Sequence, residues 1–114
     1  MKLQTMTTQD AELIVSFIGD FDADGMQTLQ AEFDHLGRSN ASHIILDLAR
    51  VDLIDSSGIG AIVFLYKRLK VNGHSMSLTG LHGQPELLIK MLRIHATISV
   101  TCSNDTPVSI TGAR

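Results

Sequence analysis

The chain has 114 residues, of which 44% are hydrophobic and 18% charged, and this predicts a single domain with one packed core. Nine basic against twelve acidic side chains give a net charge of −3. No basic run exceeds Lys67-Arg68, which argues against nucleic acid as a direct partner. The lone Cys102 excludes an internal disulfide, and no segment resembles a signal peptide or a membrane span. We therefore expect a cytoplasmic protein without a membrane partner.

The first half of the chain predicts two strands, a helix and a third strand. A short alternating stretch at 2–7 pairs as a hairpin with a β-branched apolar strand at 12–18. Apolar residues at helical spacing predict a helix over 23–36, with Gly37 as its C-cap glycine. The mainly apolar run 43–48 predicts a central strand covered on both faces.

The second half continues the alternation of helices and strands. The strongest helical pattern covers 57–70 and ends at a stop signal over 71–73. A short strand at 75–79, a helix at 84–92 rich in leucine and a last strand at 98–101 follow.

This order predicts an α/β fold with a mostly parallel sheet of about four or five strands and about three or four helices. We expect residues 1–102 to form the domain and the polar residues 103–114 to be an appendage of it.

Two segments, 19–22 and 52–60, each follow a predicted strand and precede a predicted helix. Such segments meet at one edge of a parallel sheet, where the positive ends of helices also point. The second segment places Ser56 and Ser57 beside backbone N–H groups that lack helical partners. In a structural interpretation, one of these serines caps the helix, and the two glycines that follow allow a tight turn and close packing.

A regulatory interpretation of the same segment adds a phosphate to one of the serines. A phosphoserine here carries roughly −1.5 to −2 charges at the positive end of a helix, which tolerates it locally. The added charge repels a partner that carries acidic groups. One hydroxyl is therefore sufficient to switch binding.

The patterns of common enzymes and metal sites are missing. The run Ile-Asp-Ser-Ser-Gly lacks the Gly-x-Ser-x-Gly spacing of a nucleophile elbow, and no phosphate-binding P-loop occurs. No two of the five histidines stand three or four residues apart, and Cys102 has no neighbour at ligand spacing. We expect a non-enzyme with no catalytic residues, no metal and no cofactor.

The helix at 57–70 has two unlike faces. The face expected to cover the sheet holds Ile59, Ile62, Val63, Tyr66 and Leu69. Opposite it, Phe64 faces solvent together with Gly60, Ala61 and Arg68. An isolated exposed aromatic is ordinary, but small residues beside an aromatic anchor also favour a docking surface, and we prefer docking.

Asp22 ends the other junction segment and has two possible roles. It is a good helix N-cap residue, and it is also placed to form an acidic mouth around the serines together with Asp55. The sequence does not separate these roles.

Three stretches resemble STAS domains, specifically the small bacterial anti-sigma factor antagonists: GDFD at 19–22, HIILDL at 43–48 and VDLIDSSGIGAIVFLYKRLKVNG at 51–73. The resemblance implies a STAS-like sandwich and partner switching. The unmodified protein binds an anti-sigma factor that is also a serine kinase, and thereby releases sigma. Phosphorylation abolishes that binding, and a separate PP2C-type phosphatase reverses it.

By motif position, the resemblance implies that Ser56 is the phosphoacceptor. The expected partner-binding residues are Asp22, Asp55, Ser57, Gly58, Gly60, Ala61 and Phe64. Gly25 and the segment 93–95 depart from the family pattern, but the Ser56 turn keeps it. The family also contains non-catalytic scaffold subunits of stressosome-like or transporter-like assemblies, in which Ser56 would only cap a helix. A small-ligand sensor is a third and weaker possibility.

Overall fold

A computed structural model describes residues 1–8 and 10–102. The predicted appendage at 103–114 lies outside the described residues. A short 3₁₀ helix, Ile94–Ala96, precedes the last strand. The main elements follow in the order β1 Lys2–Thr7, β2 Glu12–Ile18, α1 Ala23–Gly37, β3 His43–Arg50, α2 Ser56–Val71, β4 Ser75–Leu81, α3 Gly83–Met91 and β5 Ser99–Cys102.

The five strands form one sheet in the order β1-β2-β3-β4-β5. β1 pairs antiparallel with β2 from Lys2 opposite Ile18 to Thr7 opposite Leu13, which confirms the predicted hairpin. The other three pairings are parallel. The predicted mostly parallel α/β fold is therefore confirmed. The carboxyl ends of β2, β3, β4 and β5 lie at the same edge of the sheet, where the candidate site is found.

The core lies on one face of the sheet. In the central strand β3, Ile44, Leu46 and Leu48 are fully buried, whereas Ile45 and Asp47 between them are partly exposed. The expectation that this strand is covered on both faces is therefore wrong. Ile45 makes the sequence look continuously apolar although it lies on the less covered face. The buried residues of the strands and of all three helices form a single cluster.

The end of α1 differs from the prediction. The helix includes Gly37, and its C-cap is Arg38. A Cβ on Gly37 would lie 2.6 Å from Cζ of Arg68, so this glycine makes room for an arginine of α2 instead of terminating the helix. The same guanidinium lies 3.7 Å from a carboxylate oxygen of Asp34, which ties α1 to α2. The predicted stop after α2 is confirmed, with Gly73 in a left-handed conformation.

The last helix buries little of its leucine-rich surface. Pro85 and Ile89 are buried, while Leu87 and Met91 are exposed, as is Leu92 just beyond the helix. Within residues 1–8 and 10–102, none of the helices has the length and apolar content needed to cross a bilayer.

Candidate functional site

The two junction segments predicted to meet do lie side by side. Phe21 and Ile54 form an isolated parallel bridge beyond the ends of β2 and β3. The Phe21 N–H donates to the Leu53 carbonyl at 2.8 Å, and the Asp55 N–H donates to the Phe21 carbonyl at 3.1 Å. The parallel pairing of β2 and β3 thus continues into the loop that carries Ser56, which places segments 19–22 and 52–60 together.

Asp55, and neither serine, is the N-cap of α2. Its Oδ1 accepts the Ser57 N–H at 2.8 Å and the Gly58 N–H at 3.1 Å. The prediction that Ser56 or Ser57 caps the helix is therefore wrong. Aspartate caps as well as serine does, and the extended backbone of Asp55 directs its carboxylate toward these two amides.

Ser56 is consequently the first residue of α2, and it is exposed. Among the described residues, none forms a hydrogen bond with its hydroxyl. Ser57 follows, also exposed, with its backbone N–H engaged by Asp55. The site therefore presents a hydroxyl at the positive end of a helix without using that hydroxyl to stabilise the helix.

Asp22 caps α1 in the same way. Its Oδ1 accepts the Gly25 N–H at 2.9 Å, which gives Asp22 the structural role considered above. A Cβ on Gly25 would lie only 2.6 Å from the Asp20 carbonyl oxygen, so the unusual glycine early in α1 is explained by a close backbone approach. Two capping carboxylates, of Asp22 and Asp55, therefore lie on the adjoining loops.

The two glycines of the Ser56 turn have different surroundings. Gly58 is buried, and a Cβ there would lie 2.4 Å from the Phe21 carbonyl oxygen and 2.7 Å from its Cδ1. A Cβ on Gly60 would meet no atom within 4 Å. Gly58 thus permits the close packing of the two segments, whereas Gly60 lies at an open surface.

The predicted docking residues line a groove between α1 and α2. Phe64 is 62% exposed, and Cζ of Arg68 lies 5.7 Å from its ring centroid. The groove has a volume of about 440 Å³. Its lining combines the buried floor of both helices with exposed residues of α2, and includes Met26, Phe33, Ser57, Gly60, Ala61, Phe64, Leu65 and Arg68.

The predicted division of α2 into two faces is correct in part. Ile62 and Leu69 are fully buried, whereas Ile59, Val63 and Tyr66 are only partly buried. Leu65, which the two-face division left out, is 1% exposed. The helix packs against both the sheet and α1, so its buried stripe is turned toward the groove and includes Leu65.

Sequence reasoning missed Gln84, the second residue of α3. Its Oε1 accepts the Ile54 N–H, and its Nε2 donates to the Ile54 carbonyl, each at 2.9 Å. Nearby, the His82 ring Nε2 lies 2.9 Å from the Ala49 carbonyl oxygen. The only available signal was topological, because the segment after β4 must lie beside the segment after β3.

This edge of the sheet carries an exposed serine hydroxyl, on Ser56, next in sequence to the Asp55 carboxylate that caps α2. Within the described part of the chain, no group of three or more histidine, cysteine, aspartate or glutamate residues is arranged to hold a metal ion. A phosphate on Ser56 would add its charge close to the Asp55 carboxylate. The helix end tolerates that charge, and an acidic partner would be repelled by it.

The sequence of this chain is similar to those of known proteins. The sequence profile of the STAS domain matches residues 2–106. An anti-sigma F factor antagonist of Paenibacillus polymyxa is 29% identical over 80 residues, which cover 69% of this chain and 68% of that protein.

Solved structures share the fold at low sequence identity. A candidate anti-sigma factor antagonist from Thermotoga maritima has a TM-score of 0.80 at 18% identity, covering 96% of this chain and 91% of that one. The Bacillus cell fate determinant SpoIIAA in its phosphorylated form has a TM-score of 0.68 at 14% identity, with coverage of 96% and 99%. A sulfate transporter family protein from Wolinella succinogenes has a TM-score of 0.70 at 17% identity, with coverage of 84% and 80%.

Proposed function

The chain belongs to the STAS domain family, and we propose that it is an anti-sigma factor antagonist that works by partner switching. The unphosphorylated form binds an anti-sigma factor that is also a serine kinase, and this binding releases the sigma factor or another target. The kinase phosphorylates Ser56 and so ends the interaction. A PP2C-type phosphatase acts on the phosphorylated form and restores binding. The protein itself contributes no catalytic residue.

The observation that carries this proposal is the exposed Ser56 at the first position of α2. Because Asp55 supplies the cap, modification of the Ser56 hydroxyl breaks no hydrogen bond that begins the helix. The helix end compensates part of the added charge, so the fold survives phosphorylation. What changes is the charge of the surface that the partner meets.

The groove between α1 and α2 gives the partner a surface close to that charge. Phe64 is eight residues beyond Ser56 on the same helix, or about 12 Å along its axis at the usual helical rise. An interface of ordinary size that covers Phe64 therefore also reaches Ser56. The exposed ring, with Gly60 and Ala61 beside it, supplies the apolar anchor, and the serine supplies the electrostatic control.

The first test is phosphorylation of the chain in lysate of its native host supplied with ATP. Peptide-resolved mass spectrometry should find one phosphate on Ser56, absent in Ser56→Ala and retained in the matched variant Ser57→Ala. The absence of phosphate from the wild-type chain, in a lysate that phosphorylates other substrates, would contradict the proposal.

The second test measures binding of the kinase to Ser56 variants, after the kinase has been captured from the same lysate with the unmodified chain. Ser56→Ala should bind like the unmodified protein, and Ser56→Asp more weakly because of like-charge repulsion. Ser56→Asn adds a side chain of the same size as aspartate without charge, so it should bind better than Ser56→Asp. Equal affinity of the aspartate and asparagine variants would exclude an electrostatic switch.

The likeness to the Wolinella sulfate transporter family protein favours a second candidate, a non-catalytic scaffold subunit of a stressosome-like or transporter-like assembly. A scaffold subunit should co-purify in a stable complex that is indifferent to ATP and to Ser56→Ala. Partner switching instead requires that ATP dissociates the complex in the wild-type chain and leaves it intact in Ser56→Ala.

A further inference from the structure

We infer that Gln84 is a positioning residue for the phosphoacceptor turn, because its side-chain amide holds the backbone of Ile54 in place of a neighbouring strand. The inference rests on the proposed function in one respect, the assignment of Ser56 as the acceptor. It adds a residue of a different helix, α3, to the residues that position this serine.

On one side, Ile54 is held by the backbone of the preceding junction segment. The Phe21 N–H and carbonyl bond to Leu53 and Asp55, the two neighbours of Ile54, in the manner of a parallel ladder. This leaves the N–H and carbonyl of Ile54 itself pointing to the other side. Those two groups need partners, since the Ile54 residue is only 1% exposed.

On the other side, Gln84 satisfies both groups at once. Its carbonyl oxygen accepts the Ile54 N–H, and its NH₂ group donates to the Ile54 carbonyl, at 2.9 Å in each case. A carboxamide carries the same donor and acceptor as a peptide group, so it reproduces the paired bonds of two facing strand residues. The backbone around Ile54 is therefore hydrogen-bonded on both sides, as in a central strand. On one side the partner is the main chain of Phe21, and on the other it is the side chain of Gln84.

The position of Ile54 determines the position of the acceptor. The next residue, Asp55, provides the cap of α2, and the residue after that is Ser56. The β4–α3 junction also contacts the last turn of chain before the loop, where the His82 ring lies against the carbonyl of Ala49 near the end of β3. Gln84 thus holds the end of the loop just before the Asp55 cap, while His82 contacts the strand that leads into the loop.

Backbone amide exchange measured by NMR tests the contact directly in the full chain. In Gln84→Ala and in the similarly long Gln84→Met, the Ile54 amide should exchange at least about fivefold faster, the factor expected for loss of one hydrogen bond of ordinary net strength. The Leu46 amide in central strand β3 reports global opening and should change less. Gln27→Ala, at an exposed glutamine of α1, is the matched control and should leave Ile54 exchange unchanged.

The variant Gln84→Glu gives a readout that a general packing role would not produce. Its ionised carboxylate accepts the Ile54 N–H but repels the Ile54 carbonyl. Once protonated, the carboxyl group regains one donor and one acceptor, the pattern of the amide. Protection of the Ile54 amide in Gln84→Glu should therefore be restored as the pH falls through the pKa of the new carboxyl group, while Gln84→Met shows no such recovery.

The functional readout is the initial rate of phosphate transfer to Ser56 in the same lysate assay. A displaced acceptor reacts more slowly, so Gln84→Ala should lower this rate at least about threefold relative to Gln27→Ala. Ile54 exchange that rises no more than Leu46 exchange, or an unchanged transfer rate, overturns the inference. If even the wild-type chain receives no phosphate, the proposed function fails, while Ile54 exchange still decides whether Gln84 positions the turn.

Discussion

Replacing Gly58 by alanine should destabilise the protein, although the same change normally strengthens a helix. Gly58 is the third residue of α2, and its N–H is already held by the Asp55 cap. An added methyl group would lie 2.4 Å from the Phe21 carbonyl oxygen, 2.7 Å from Phe21 Cδ1 and 3.0 Å from Ile54 Cγ2. The first of these atoms is backbone and the others are fixed in the core, so no flexible side-chain end can yield.

The change in unfolding free energy follows from one stabilising and two destabilising contributions. Alanine is favoured over glycine in a helix by about 1 kcal/mol. Forcing a methyl group into a filled space costs about 1–3 kcal/mol. Moving the Phe21 carbonyl also weakens its hydrogen bond with the Asp55 N–H, which adds about 1 kcal/mol. The expected net loss for Gly58→Ala is therefore about 1–3 kcal/mol of unfolding free energy.

Gly60→Ala is the matched control, two residues further along the same helix. No atom lies within 4 Å of its added Cβ, so only the helix propensity changes and stability should rise by about 0.5–1 kcal/mol. Urea denaturation followed by far-UV circular dichroism measures both variants. The reasoning is refuted if Gly58→Ala is at least as stable as the wild-type chain, or if the two variants shift stability in the same direction.

Three further predictions concern side chains. Asp55→Ala should lower stability by about 1 kcal/mol through loss of the cap, with Asp55→Asn close to wild type, as measured by urea denaturation. Equal losses in the two variants would contradict the capping role. Phe64→Ala should change stability by less than about 0.5 kcal/mol because the ring is exposed, yet weaken binding of the captured partner at least about tenfold. Unchanged affinity would remove Phe64 from the interface. The hydrogen bond from Lys90, with a smaller contribution from Cys102, lowers the pKa of Glu86, so this pair stabilises the fold above the ordinary carboxyl pKa and loses that effect as the pH falls through the lowered value. Lys90→Met should raise the pKa of Glu86 in an NMR titration, and an unchanged value would exclude Lys90 as the main cause.

Most of the fold could be predicted because its elements are local and strongly patterned. The strand β2 and the stop signals after α2 depend on residues next to each other in sequence, and the parallel order follows from the alternation of strands and helices. Which face of β3 is covered depends instead on where the helices pack. The role of Gly37 likewise depends on packing, since its contact is Arg68 on another helix.

The location of the candidate site could be predicted from the sequence, but the role of each residue in it could not. The motif indicated the edge of the sheet and the segment that holds Ser56, yet three adjacent residues, Asp55, Ser56 and Ser57, are all good caps by residue type. Only the backbone path selects Asp55. The residue pattern does not single out Gln84, because its contact with Ile54 spans 30 positions and a surface glutamine has no distinguishing pattern, so only the strand order brings its segment beside Ile54.

Because Asp55 is the cap of α2, a modification of Ser56 and the capping of the helix involve different side chains. If Ser56 were the cap, its modification would change the very oxygen that accepts the first amides of the helix. With Asp55 as the cap, the capping oxygen and the hydroxyl proposed for modification belong to different side chains, so the proposed modification leaves the capping atoms themselves unchanged. The Asp55 carboxylate also already neutralises part of the positive helix end, so a phosphate added beside it is less compensated and its charge acts more strongly on a partner. In the proposed switch, the helix cap and the electrostatic signal therefore come from neighbouring residues of one turn.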